Sequence, residues 1–273
     1  MIATFTSGGK SHAGGRALNE DAFLERPDLG LWVVADGMGG HRAGDVASQR
    51  VVTALDLTEA ALSPRAIMAR IEAALDTANA DLLAEARGLG DDAVVATTVA
   101  GLLVADARFA CFWAGDSRVY MIRGGAIVQL TRDDSHVQDL MDRGDLTAHD
   151  AEQHPLAHVV TKAVGADSEL DVHIRHGRWT DGDRFVLCTD GLSRVLNADE
   201  TCAIASRPRV CDAADALVDQ AVARGSSDNV TAIVVGTDES RGHAATAPDD
   251  DEPETAPPGG ESAAVSGGHG WLG

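Results

Sequence analysis

Short apolar runs separated by Gly, Asn and charged residues organise the first 237 positions of the chain. Residues 31–35, 94–104, 108–113, 119–122, 126–130, 184–188 and 230–235 are dense in Val, Leu, Ile and Ala and read as strands. Arg123-Gly124-Gly125, between two of them, predicts a hairpin turn. A different spacing governs residues 64–87, where Ile67, Ile71, Leu75, Ala78 and Leu82 fall on one helical face. Ser63 supplies a cap there, Pro64 suits the first turn, and Gly88 is expected to stop the helix. Residues 43–57 and 212–223 also read as amphipathic helices, and 136–143 and 147–153 as two short polar ones. Early and late helices around a central block of hairpins do not give βαβ alternation. An antiparallel sandwich with helices packed outside fits better.

Three of the apolar runs lead into an aspartate beside Gly or Asn. They are Val34-Ala35-Asp36-Gly37-Met38-Gly39-Gly40, Leu187-Cys188-Thr189-Asp190-Gly191 and Ser227-Asp228-Asn229-Val230-Thr231. A tight turn after a strand places each carboxylate at the rim of a sheet, next to exposed backbone carbonyls. Brought together by folding, the three would repel one another unless cations held them. The pattern predicts a hard-metal site.

Composition narrows the choice. The net charge of −21 argues against nucleic acid or an anionic membrane as partner. No run reaches the length of a membrane span, and the start lacks a basic-then-apolar leader, so a cytoplasmic protein is expected. Cys111 and Cys188 lie within apolar runs and read as core residues. From Asp238 on, eight acidic residues stand against one Arg among Pro, Gly, Ser and Ala; this gives the tail −7 and leaves −14 on residues 1–237. Such a segment buries too little apolar surface to offset its ordering entropy, and disorder is expected over 238–273.

A wider set of motifs, in order, resembles the metal-dependent Ser/Thr protein phosphatases, the PPM or type-2C family, in its bacterial branch. They are Arg16-Ala17-Leu18-Asn19-Glu20-Asp21, Asp36-Gly37-Met38-Gly39-Gly40-His41, Thr97-Thr98, Gly115-Asp116-Ser117-Arg118, Thr189-Asp190-Gly191-Leu192-Ser193 and Asp228-Asn229-Val230-Thr231. Each alone is weak; the full series over residues 5 to 236 is specific. The resemblance implies an α-β-β-α sandwich, an α+β fold of two central antiparallel sheets flanked by helices on both outer faces.

It also implies hydrolysis of phosphoserine and phosphothreonine in proteins by a hydroxide held between two Mn2+ or Mg2+ ions. Asp36 would bridge the ions, the Gly37 carbonyl would complete one, and Asp190 and Asp228 would hold the other. Arg16 would grip the substrate phosphate. Glu20 and Asp21 would orient bound water, and Asp116 matches a third, weaker metal position of bacterial members. Carboxylate and carbonyl oxygens suit Mg2+ or Mn2+ rather than zinc or copper. Phosphorylated proteins, with a Ser/Thr kinase and its substrates, are the implied partners. The chief alternative is a catalytically weak relative acting as a phosphoprotein-binding scaffold. Two departures stand out: Met38 replaces a His that eukaryotic members use as general acid, with His41 three residues on, and Ala96 replaces a usual Gly. Residues 135–165 correspond to a flap beside the catalytic groove of relatives.

Overall fold

A computed structural model describes residues 5–39, 43–56, 63–90 and 92–237. The tail expected at 238–273, together with Gly40 and His41, lies outside the described residues. From the start, β1 (Phe5–His12), β2 (Asp21–Arg26) and β3 (Leu31–Gly39) lead into α1 (Ala43–Leu55) and α2 (Pro64–Leu89). A central block follows: β4 (Val95–Thr97), β5 (Val99–Ala105), β6 (Arg108–Ala114), β7 (Arg118–Arg123) and β8 (Ala126–Gln129). The helices α3 (His136–Arg143) and α4 (Ala148–Glu152) precede β9 (His173–Arg178) and β10 (Arg184–Cys188). The chain then forms α5 (Asp190–Ser193), α6 (Ala198–Ala205), α7 (Val210–Ala223) and β11 (Val230–Thr237).

Two antiparallel sheets result. One runs β1-β11-β10-β7-β8; the other runs β2-β3-β5-β6-β9, with β4 paired to β3. Alternation along β3 explains why they stack. Trp32 and Val34 pack between the sheets with Leu102, Phe185, Leu187 and Ile233, whereas Leu31 and Val33 face the helices α1 and α2. Val186, Cys188 and Val234 turn the other way, onto Leu217 and Val218 of α7. Helices therefore cover each outer face, in the expected α-β-β-α order.

Local signals explain most boundaries. Ile67, Ile71, Leu75, Ala78 and Leu82 are all buried, and Ser63 Oγ accepts from the Ala66 N–H at 3.3 Å. Gly124 and Gly125, at φ of 57° and 79°, close the β7–β8 hairpin between the paired Arg123 and Ala126. Gly88 does not stop α2. The helix continues to Leu89, and the N–H of Gly90 bonds back to Ala86. Three strands escaped the sequence pattern: β1, β2 and β9. Polar residues fill much of β1 and β9, each bound to one neighbour at a sheet edge. The apolar run at 94–104 is not one strand, because Thr98 separates β4 from β5.

Candidate active site

At one rim of the sandwich both sheets deliver carboxylates to an open cleft of about 1110 Å³. Asp36 lies within β3 rather than in a turn after it, because β3 continues to Gly39 by pairing with β4. Thr97 and Thr98 fix its backbone. The Asp36 N–H donates to Thr98 Oγ1 at 3.0 Å, and its carbonyl accepts from Thr98 N–H and Thr97 Oγ1, both at 2.9 Å. That exchange accounts for the strand break at Thr98. Thr98 Oγ1 also lies 2.7 Å from Ser117 Oγ, which links Asp36 to the bend carrying Asp116.

The remaining acids come from separate segments. Asp190 opens α5, also not a turn, with Thr189 as the residue before the helix. Asp228 sits in the bend before β11, where Oδ1 accepts from the Asn229 N–H at 2.9 Å. Asp21 is paired with Asp36 in the β2–β3 register and is not itself part of the cleft lining. Its Oδ2 accepts from Thr189 Oγ1 at 2.9 Å and from Thr231 Oγ1 at 2.6 Å, both from the other sheet's side. Arg16, Glu20, Gly37, Met38 and Asp116 line the cleft with them. Seven of the eight predicted site residues thus line one cleft, and the eighth, Asp21, is the cross-strand neighbour of Asp36.

Glycine is required where chains cross. A Cβ on Gly37 would lie 2.0 Å from the Gly44 carbonyl oxygen of α1, and one on Gly191 would lie 1.9 Å from the Asn229 carbonyl oxygen. Both are distances that only a bare backbone permits.

The carboxylates disturb one another. Burial, then repulsion from Asp21, Asp190, Asp116 and Asp228, holds the Asp36 acid well above the ordinary carboxylate range. Burial first, with Asp116, Asp228 and Asp21, does the same to Asp190. Burial pushes Asp21 up to about 7 despite its two hydroxyl donors. Asp116 is raised by burial and partly relieved by Arg194.

Two buried oxygens, Asp21 Oδ1 and Asp190 Oδ1, have no partner. All-oxygen donors, mutual repulsion and orphaned lone pairs are the chemistry of a divalent-cation site, and the residues fit such ions. Among the described residues no group of three or more His, Cys, Asp or Glu is drawn tightly enough to hold one ion as it stands. The acids turn instead to other partners. Arg16 reaches Asp228 Oδ2 at 2.8 Å, and Arg194 reaches Asp190 Oδ2 at 2.8 Å.

Sequence reasoning missed two contributors. Asn229 accepts from the Glu20 N–H at 2.8 Å and donates to the carbonyls of Ala13 and Leu18 at 2.9 and 2.8 Å. It ties the loop carrying Arg16 and Glu20 to Asp228. Arg194 was legible as the i,i+4 partner of Asp190 on one helical turn, a signal left unread. Beyond the acids, Val137, Met141, Ala151 and Val159 of the flap give the cleft an apolar wall.

The family model described as Protein phosphatase 2C matches residues 8–236. The chain belongs to this family. The Ser/Thr phosphatase PstP of Mycobacterium tuberculosis is 36% identical over 220 residues, covering 80% of this chain; the chain spans 42% of that relative's length. Among solved structures, PppA, a key regulatory component of T6SS in Pseudomonas aeruginosa, matches with a TM-score of 0.80 and 37% identity, covering 86% of this chain and 99% of that one. The catalytic domain of PstP in complex with 2 manganese ions matches with a TM-score of 0.73 and 32% identity, covering 85% of this chain and 97% of that one. Within the type-2C fold, the acidic cleft therefore lies at the end of the sandwich where β3, β10 and β11 finish or begin. No helix among the described residues is long and apolar enough to cross a membrane.

Proposed function

We propose that this chain hydrolyses phosphoserine and phosphothreonine in proteins, using two Mn2+ or Mg2+ ions held in the acidic cleft. The observation that carries this reading is the meeting of Asp36, Asp190 and Asp228, from three distant segments, with unpartnered buried oxygen beside them. Asp36 would serve both ions, the Gly37 carbonyl one, and Asp190 and Asp228 the other. Bound there, such ions supply positive charge for the phosphate and acidify a water for in-line attack.

The chain's own residues divide the remaining work. Arg16 stands at the mouth, its side chain 57% exposed, and offers a planar fork to two phosphate oxygens. Swinging from Asp228 to the phosphate, it frees that carboxylate for an ion. Glu20 and Asp21 orient water from the loop and from β2. Met38 lines the cleft but carries no proton to give a leaving alkoxide. Flap residues Val137, Met141 and Val159 offer an apolar wall to the polypeptide flanking the phosphorylated side chain.

Residues 1–237 form the catalytic domain and 238–273 an acidic tail in this reading. The enzyme acts in cytoplasmic signalling, opposing a Ser/Thr kinase. The deciding experiment is turnover of a phosphothreonine peptide by chelator-treated protein before and after adding Mn2+. Turnover that returns with Mn2+ supports an enzyme. Binding of the peptide without turnover in either condition supports the scaffold alternative.

A further inference from the structure

Arg194 differs from Arg16 at the mouth of the cleft. Its backbone N–H donates to the Asp190 carbonyl at 2.9 Å, so its side chain leaves α5 one turn on from Asp190 and on the same face. The guanidinium is held rather than solvated: its side chain is 29% exposed, against 57% for Arg16. A single nitrogen, Nη2, faces three oxygens. Asp190 Oδ2 lies at 2.8 Å, Asp116 Oδ2 at 3.5 Å and the Ala157 carbonyl of the flap at 3.4 Å. The two carboxylates belong to buried residues.

Two carboxylates and a carbonyl around one point make an oxygen set that a hard cation would take. Here a guanidinium nitrogen takes it. We propose that Arg194 stands in the place of a third divalent ion, so that this chain binds two ions and not three. The proposal rests on the two-ion reading given above.

Charge and geometry agree. Glu20, Asp36, Asp116, Asp133, Asp190 and Asp228 line the cleft with Arg16, Arg118 and Arg194, and Arg118 is taken up by Asp133 at 2.7 Å. A third ion between Asp116 and Asp190 would lie against a guanidinium anchored by the adjacent backbone, and charges of like sign at that spacing repel strongly. The spacings of 2.8 to 3.5 Å from Nη2 to the carboxylate oxygens are those of charge-assisted N–H···O contacts. Arg194 also ties the flap, through Ala157, to the helix that begins with Asp190.

The test counts ions. Full-length protein is titrated with Mn2+ by calorimetry and weighed by native mass spectrometry, with Arg194→Gln, Asp116→Asn and the double variant alongside. The expected counts are two ions for the wild type and for Asp116→Asn, three for Arg194→Gln with the third at least tenfold weaker, and two again for the double variant. Three ions on the wild type, or two on Arg194→Gln, would overturn the proposal. Fewer than two on the wild type would overturn the two-ion reading itself, and the proposal with it. Should Arg194→Gln not fold, the wild-type count and its constancy in Asp116→Asn still decide, since a three-ion site loses one ion on removal of Asp116.

Discussion

Thr231 donates its hydroxyl to Asp21 across 2.6 Å, and this bond joins the two sheets under the acidic cleft. Thr189 makes the second such bond at 2.9 Å, so a carboxylate of one sheet is held by hydroxyls from the other. Thr231→Val keeps the β-branched shape that suits β11 but removes one donor from a buried acid. It should lower stability by about 1–3 kcal/mol. Thermal unfolding monitored by circular dichroism would show the drop; an unchanged midpoint would mean that the bond contributes nothing.

The buried acids also set a pH dependence. Asp21 binds its proton up to about pH 7 in the folded protein, against an ordinary value of 3.8. Between those values the folded state holds more protons than the unfolded one, so stability must fall as pH rises. The raised acids of Asp36 and Asp190 act in the same direction. Chelator-treated protein should therefore unfold at progressively lower temperature as pH increases from about 4 to about 7. Asp21→Asn should flatten that decline, and Mn2+ at neutral pH should raise the midpoint. A midpoint that climbs with pH in the chelated wild type would contradict the assignment.

Arg16 gives a prediction that separates binding from folding. Its bridge to Asp228 is largely exposed, and such pairs contribute about 0–1 kcal/mol. Arg16→Lys should thus leave unfolding almost unchanged. It should nonetheless raise KM for a phosphothreonine peptide about tenfold, because an ammonium cannot present two parallel N–H donors to a phosphate. Equal KM for the two proteins would remove Arg16 from phosphate recognition.

Asn229 acts at one remove. Its side chain holds Glu20, Ala13 and Leu18, so Asn229→Ala should loosen the loop that presents Arg16. Proteolysis within residues 13–20 should quicken, and KM should rise more than kcat falls. Loss of kcat at unchanged KM and unchanged proteolysis would assign Asn229 a different role.

Residue pattern revealed the centre of the fold better than its edges. β10 and β11 were visible because Val186, Leu187, Ile233 and Val234 bury on both faces and leave unbroken apolar runs. β1, reading Phe-Thr-Ser-Gly-Gly-Lys-Ser-His, carries no such run; backbone pairing to β11 along its whole length fixes it. β9 is an edge strand with two Arg and two His, and charge of that kind is how edges avoid further pairing. Asp36 was found but misplaced in a turn, because the β4 partner that keeps β3 extended is distant in sequence. The acids announced themselves through their motifs. Arg194 did not, since its meaning depends on Asp116, a residue 78 positions away.

Hydrolysis of a phosphothreonine peptide by Asp36→Asn, measured beside the wild type at saturating Mn2+ and equal folded concentration, tests the central claim most directly. The amide keeps the size of the carboxylate but not its charge. Turnover should fall by a hundredfold or more, on the order seen when one essential electrostatic contact is removed from an active site. Undiminished turnover by Asp36→Asn would contradict the claim that these converging acids hold the ions on which the reaction depends.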